Sequence, residues 1–352
     1  MSLTSDNHRA AASDSTPLDR FGRGLRDLRI SLTDRCNFRC GYCMPRHLFG
    51  ASHAFLPRRE LLSFEEIERL AGLFARLGVR KLRLTGGEPL LRRDLPVLVK
   101  RLAGLPGIED ISLTTNGALL DTAYARALAG AGLRRITVSL DALDDDLFRQ
   151  INDVGFPVAT VLAAIDHAAQ AGLTPVKVNV VLRKGVNESQ ILPLAEYFRG
   201  TGVVLRFIEY MDVGGAADWQ RPAVVTADQI IERIGQRWPL EPLPASQPGE
   251  TARRFRYADG QGEVGVIASV SQPFCGGCTR ARLSAIGELY TCLFASRGMD
   301  LREPLRAGAS DDALLALISG RWVSRDDRYS ELRGRVRRGD DAQPVNMSYI
   351  GG

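Results

Sequence analysis

Six short strand-like segments, each followed by a helical pattern, constrain the fold of this 352-residue chain more than any other feature. They are LRISLT (28–33), KLRLT (81–85), ISLTT (111–115), ITVSL (136–140), VKVNVVL (176–182) and VLRFIE (204–209). Between them, SFEEIERLAGLFARLG opens with Ser63 and Glu66 in capping-box spacing and closes at Gly78. Further helical patterns cover 95–102, 123–129, 158–170 and 189–198. Repeated βα units imply crossovers and therefore a parallel sheet. Six such units without a dinucleotide-binding glycine fingerprint favour an incomplete (β/α) barrel over a doubly wound sheet.

Side chains alternate across a strand, and here the two faces differ. One face is aliphatic: Leu28, Ile30, Leu32, Leu82, Leu84, Ile111, Leu113, Ile136, Val138, Val176, Val178, Leu205 and Phe207. The other carries Arg29, Ser31, Lys81, Arg83, Thr85, Ser112, Thr114, Thr137, Ser139, Lys177, Asn179 and Arg206. Parallel strands covered on both sides normally read as continuous apolar runs. A solvated face is one explanation, but helical crossovers bury a sheet. A wide lumen holding a polar, negatively charged ligand is the sharper one. A cation–phosphate pair at about 4 Å contributes about 4 kcal/mol at an effective dielectric near 20, before desolvation.

After Met211 the rhythm ends. A glycine-rich loop, MDVGGAADWQ, leads to a short helix, TADQIIERIG (226–235), and a proline-rich stretch, 240–250. The first residues are polar and lack the apolar core of a secretory signal, and no run approaches a membrane span. Net charge is +5, with the basic residues scattered rather than blocked, so neither nucleic acid nor a membrane is expected as a partner. The cytoplasm is the expected location.

All six cysteines fall into two trios, Cys36, Cys40, Cys43 and Cys275, Cys278, Cys292. Clustered cysteines in such a chain argue for metal rather than disulfides. Three corners of a cuboidal iron–sulfur cluster fit the C-x3-C-x2-C spacing and leave one iron open. A zinc knuckle completed by His47 or His53 is the alternative there, and an incomplete zinc ribbon is the alternative at the second trio. The first trio follows strand LRISLT, at the strand end where barrel sites lie. In the second, RARLS and ELYTCLF flank AIGE as a hairpin that returns Cys292 towards Cys278.

CNFRCGYC resembles the signature of the radical S-adenosylmethionine superfamily, and TGGEP (85–89) resembles its glycine-rich segment. LRISLTDRCNFRCGYCMP, RLTGGEPLLRRD, LTTNG, VSLD, VKVN, LRFIEYMDVG, CGGCTRARLS and the terminal Gly-Gly are together similar, in order, to the GTP 3′,8-cyclase family of molybdenum cofactor biosynthesis. The resemblance runs from DRFGR (19–23) to the C-terminus. It implies an α/β fold: an incomplete (β/α)6 TIM-like barrel of the radical S-adenosylmethionine type, with a C-terminal α+β region carrying a second cluster. The implied division is a leader at 1–18, the partial barrel and its extension at 19–239, a connector at 240–250 and the cluster-bearing region at 251–352.

The cofactors implied are two [4Fe-4S] clusters and S-adenosylmethionine. Cys36, Cys40 and Cys43 hold the first cluster, and Tyr42, Gly87, Ser139 and Met211 contact S-adenosylmethionine. Cys275, Cys278 and Cys292 hold the second, whose open iron takes the guanine end of GTP. Arg29, Arg83, Thr114, Lys177, Arg280 and Arg282 bind GTP, and Arg280, Arg282, Gly351 and Gly352 serve the reaction. A 5′-deoxyadenosyl radical abstracts the GTP 3′ hydrogen, and the ribose radical then closes on C8. The partners implied are an electron donor and a downstream cyclic pyranopterin monophosphate synthase, with the chain a monomer or homodimer. A radical enzyme that modifies a peptide, and an iron–sulfur or zinc nucleic-acid regulator, are the competing readings. INDVGFP (151–157) and GGAADWQ (214–220) depart from the family's pattern, and only local loop geometry is expected to differ there.

Overall fold

The computed structural model describes residues 16–213, 219–247, 249–333 and 345–351. Most of the expected leader, Gly352 and most of the GGAADWQ loop therefore lie outside the described residues.

Twelve strands form one sheet: β1 (Asp27–Ser31), β2 (Lys81–Thr85), β3 (Asp110–Thr115), β4 (Arg135–Ser139), β5 (Lys177–Leu182), β6 (Val204–Glu209), β7 (Leu240–Leu243), β8 (Arg253–Tyr257), β9 (Glu263–Ile267), β10 (Arg280–Leu283), β11 (Glu288–Tyr290) and β12 (Met299–Asp300). Their spatial order is β12-β11-β10-β1-β2-β3-β4-β5-β6-β9-β8-β7, with β12 and β7 left as edges, so the barrel does not close. The six expected strands form its centre. β10 adds in parallel beside β1, and β9 in parallel beside β6. Antiparallel strands finish each edge. Residues 251–352 thus supply strands to both ends of one sheet, and the proline-rich stretch at 240–250 begins as edge strand β7.

The crossovers are α1 (Phe64–Arg76), α2 (Leu95–Ala103), α3 (Thr122–Gly130), α4 (Asp145–Asn152), α5 (Val158–Gln170), α6 (Ile191–Phe198) and α7 (Ala227–Gly235). Both capping boxes form. Ser63 Oγ accepts from Glu66 N at 3.1 Å while Glu66 Oε2 accepts from Ser63 N at 2.7 Å. Thr226 and Gln229 do the same for α7. The sequence pattern misses α4, DDLFRQIN, which is only eight residues long and opens on two acidic residues. C-terminal to the sheet come α8 (Arg302–Arg306), α9 (Asp311–Val323), α10 (Tyr329–Leu332) and α11 (Met347–Ile350). Ion pairs Arg69–Asp311 and Arg306–Glu66 fasten α8 and α9 onto α1.

The aliphatic strand face packs under the helices as one core. Register aligns Leu28 with Leu82 and Ile111, and Ile30 with Leu84 and Leu113. Each of these six is at most 2% exposed. Burial of that kind stabilises by roughly 1.5–3 kcal/mol per side chain. It also fixes the strand register, so the polar face must point the other way. That constraint is what places the site.

Candidate active site

The first cysteine loop leaves β1 and is held from several sides. Asp34 Oδ2 accepts from Leu56 N at 2.8 Å, folding residues 46–57 over the loop. Phe38 is buried against Phe148 and Phe156. Cys43 N and Met44 N both donate to Cys40 O, at 2.9 and 2.8 Å, forming a tight turn. The TGGEP segment after β2 lies alongside: Gly87 N donates to Thr33 O and Glu88 N to Arg35 O, both at 2.7 Å. A Cβ at Gly87 would sit 2.2 Å from Arg35 O, and one at Gly86 2.6 Å from Thr33 O. The glycine pair is therefore required for close backbone approach. The departing segment INDVGFP touches this loop as well, since Arg39 N donates to Asn152 O at 2.9 Å.

The second trio rides on the expected hairpin. β10 and β11 pair with Arg282 opposite Tyr290. Cys275 begins a single 3-10 turn ahead of β10, and Cys292 follows β11. Arginines surround it. Arg23 donates to Cys275 O and Arg325 to Cys278 O, both at 2.7 Å. Arg280 Nη2 donates to Cys278 Sγ at 3.4 Å.

Both trios and the polar strand face line one cavity. Register lays the face out in rows. Arg282, Arg29, Arg83, Ser112 and Arg135 run side by side across β10, β1, β2, β3 and β4. Thr114, Thr137 and Lys177 form the next row, and Ser139, Asn179 and Arg206 the last. Among the described residues, Arg29, Arg83, Lys177, Arg206, Arg280 and Arg282 have no ion-pair partner. Burial, then mutual repulsion, lowers the pKa of Arg29, Arg83, Lys177, Arg206 and Arg282. Lys177 is lowered to about 7, Arg206 to about 9 and Arg282 to about 10, and Arg29 falls well below its usual value. Thr114 Oγ1, Asn179 Oδ1 and Arg206 Nε are buried without a hydrogen-bond partner. Desolvated cations and orphaned polar atoms around one space are the counterpart of a polar polyanion.

The expected site residues come together. Tyr42, Gly87, Ser139, Met211, Arg29, Arg83, Thr114, Lys177, Arg280, Arg282 and all six cysteines line this cavity. Gly351 reaches the same place: its carbonyl accepts from Arg282 Nη1, and Met347 and Ser348 of α11 line the cavity beside it. Gly352 lies outside the described residues. His53 packs between Phe49 and Phe55, tilted to one ring and edge-on to the other. No three His, Cys, Asp or Glu side chains among the described residues gather closely enough for a single metal ion. A cuboidal cluster spreads its thiolates over separate irons, and three cysteines at each corner of a shared cavity fit that group.

Several lining residues were not in the expected set. Glu88 is buried, accepts from Thr115 Oγ1 and Asn116 N, and is raised by burial to about 7. Asp141 accepts from Tyr42 Oη at 2.7 Å and is raised by burial to about 6. Arg135 was one residue outside the expected strand, although its parity with Thr137 and Ser139 could have found it. Glu88 and Asp141 stood inside TGGEP and VSLD with no signal of their own.

Comparison with known proteins agrees with this layout. Residues 30–198 match the family model for the radical SAM superfamily, and residues 203–331 match the one for Molybdenum Cofactor Synthesis C. The chain is similar to curated proteins called GTP 3′,8-cyclase. That of Acidothermus cellulolyticus is 54% identical, over 95% of this chain and 98% of the relative. Those of Xanthomonas axonopodis pv. citri and Staphylococcus epidermidis are 55% and 49% identical, over the same shares. Among solved structures, Streptococcus suis SuiB bound to precursor peptide SuiA has a TM-score of 0.60 at 16% identity, covering 93% of this chain and 71% of that one. SuiB bound to S-adenosylmethionine has a TM-score of 0.57 at 17% identity, covering 84% and 68%. These structural likenesses establish a shared fold.

Proposed function

The chain belongs to the GTP 3′,8-cyclase family, and from that premise we propose how its cavity divides the work. The reaction is the first step of molybdenum cofactor biosynthesis, conversion of GTP to 3′,8-cyclo-7,8-dihydroguanosine 5′-triphosphate by a radical S-adenosylmethionine enzyme. Cys36, Cys40 and Cys43 hold one four-iron cluster, with S-adenosylmethionine completing it among Tyr42, Gly87, Ser139 and Met211. Cys275, Cys278 and Cys292 would hold a second, beside the guanine end of GTP. Bound there, S-adenosylmethionine and its cluster would supply the radical chemistry that acts on the GTP ribose.

The chain's own residues bind, orient and exclude water. Arg29, Arg83, Thr114 and Lys177 take the triphosphate along the strand rows, with Arg280 and Arg282 reaching it from β10. Gly351, fixed to Arg282, closes that end with the tail. The observation that carries this reading is one cavity in which two cysteine trios flank a floor where Arg29, Arg83, Lys177, Arg206, Arg280 and Arg282 make no ion pair among the described residues. A peptide substrate would leave those cations uncompensated. We place the enzyme in the cytoplasm, with an external electron donor.

Anaerobic incubation of reconstituted protein with reductant and S-adenosylmethionine, with and without GTP, tests it. 5′-Deoxyadenosine and cyclised nucleotide are expected together, and only with GTP present. GTP-independent turnover with no nucleotide product would sink the substrate assignment.

A further inference from the structure

The turn that carries the last two cysteines of the first trio is open on its outer side. Gly41 is exposed, and a Cβ there would meet nothing within 4 Å. What fixes that side is Tyr42, whose hydroxyl crosses the cavity mouth to Asp141 Oδ2 at 2.7 Å, bridging positions 99 residues apart. Asp141 is 4% exposed and is itself locked in place. Its Oδ1 accepts from Val181 N of β5 at 2.8 Å. Its backbone carbonyl accepts from Asn187 Nδ2, which also donates to Val181 O, both at 2.9 Å. One carboxylate thus joins the end of β4, the strand β5 and the cysteine turn.

We propose that Asp141 is a positioning residue for S-adenosylmethionine: through Tyr42 it holds the Cys40–Cys43 turn in the geometry that the bound cofactor needs. The inference rests on the assignment of the first trio given above. Tyr42 and Ser139 line the same wall of the cavity as Asp141, so tilting the ring would move the wall against which the cofactor lies. Asp141 also lines the cavity, so a charge effect of its own on the cofactor would survive loss of the tyrosine hydroxyl. The positioning role would not, and that difference is what the test reads.

A double-mutant cycle on cluster-reconstituted full-length protein tests this, using Tyr42→Phe, Asp141→Asn and the double variant. The readouts are the S-adenosylmethionine dissociation constant, the cofactor-induced change in the electron paramagnetic resonance spectrum of the reduced protein, iron content and Tm. In Asp141→Asn the new carboxamide oxygen can still accept from Val181 N, so the β4–β5 tie survives that substitution. Each single variant is expected to weaken cofactor binding about tenfold, equivalent to ~1.4 kcal/mol. The double variant should be no weaker than the weaker single, as two partners in one interaction require. GTP affinity and iron content should match the parent protein.

Additive losses would mean that Asp141 only braces β4 against β5, and would overturn the proposal. Unchanged cofactor affinity in Tyr42→Phe alone would overturn it as well, even if the Asp141 variants failed to fold. Parent protein that binds no S-adenosylmethionine would instead break the assignment of the first trio.

Discussion

The two cysteine corners hold three thiols each but sit in different fields. Around the first, carboxylates face the thiols. Burial raises Cys36 to about 11 and Cys43 to about 12, with Glu88 adding to the first shift and Cys36 and Asp141 to the second. Around the second the field is mixed: Arg280 and Arg325 bring Cys278 down to about 7 against burial, while burial and then Asp327 raise Cys292 to about 12. A negative surround suits a partner bearing a sulfonium and an ammonium, and a positive one suits a triphosphate. On the proposed assignment, Glu88 and Asp141 lie at the S-adenosylmethionine end of the cavity, and Arg280 and Arg325 at the GTP end.

The largest test of that contrast removes one corner at a time. Cys40→Ala and Cys278→Ala should each lower iron from about eight to about four per chain. Their chemistry should separate. Cys40→Ala is expected to yield no 5′-deoxyadenosine at all, whereas Cys278→Ala should keep S-adenosylmethionine binding and lose nucleotide cyclisation. Product analysis beside iron quantitation checks both. Equal behaviour of the two variants would erase the distinction drawn between the corners.

The same contrast separates what the sequence discloses from what only folding assembles. Both trios, the six central strands and the polarity of their inner face are local patterns, and the structure keeps them: Lys81–Thr85 and Val204–Glu209 end where the sequence pattern ends. Strand parity alone sent Arg29, Arg83 and Lys177 to one side. What was not legible is long-range. No periodicity announces that β9 and β10, far along the chain, flank opposite ends of the sheet, because pairing of sequence-distant parallel strands leaves no local signature. Nor can a pattern show that Tyr42 meets Asp141, or that Asn116 leans on Asn37 and Cys36. Those contacts exist because the loops at the strand ends converge, and convergence belongs to the sheet's curvature.

A smaller effect should follow from disturbing the cationic end without touching a cysteine. Gly351 has φ +74, and a Cβ there would lie 2.3 Å from Thr85 Cγ2. Gly351→Ala must therefore shift the tail and pull its carbonyl away from Arg282. A hydrogen bond to a charged group contributes roughly 1.5–3 kcal/mol, so cyclisation should fall about 10- to 100-fold. Tm should hold, because α11 is a single short turn at the chain's end. Thr85 opens the TGGEP segment, so S-adenosylmethionine affinity is read beside it: a loss confined to cyclisation marks the Arg282 contact, and a parallel loss marks a shift of Thr85.

The mildest perturbation is pH, and Lys177 gives its sign. In the free cavity its pKa is lowered to about 7 by burial first, then by Arg206, Arg135 and Arg83. An incoming triphosphate neutralises those neighbours and raises the lysine's pKa. The free-state value is then the lower one, so between the two values binding takes up a proton. GTP affinity should be greatest below pH 7 and fall as pH rises, by at most tenfold per unit for a single group. Between pH 6.5 and 8.5 the expected loss is up to about 25-fold, read by titration calorimetry in buffers of different ionisation enthalpy. Lys177→Arg keeps its charge through that window and should flatten the slope. A slope that survives in the arginine variant would move the proton uptake to another group, and would leave Lys177 a fixed charge on the cavity floor.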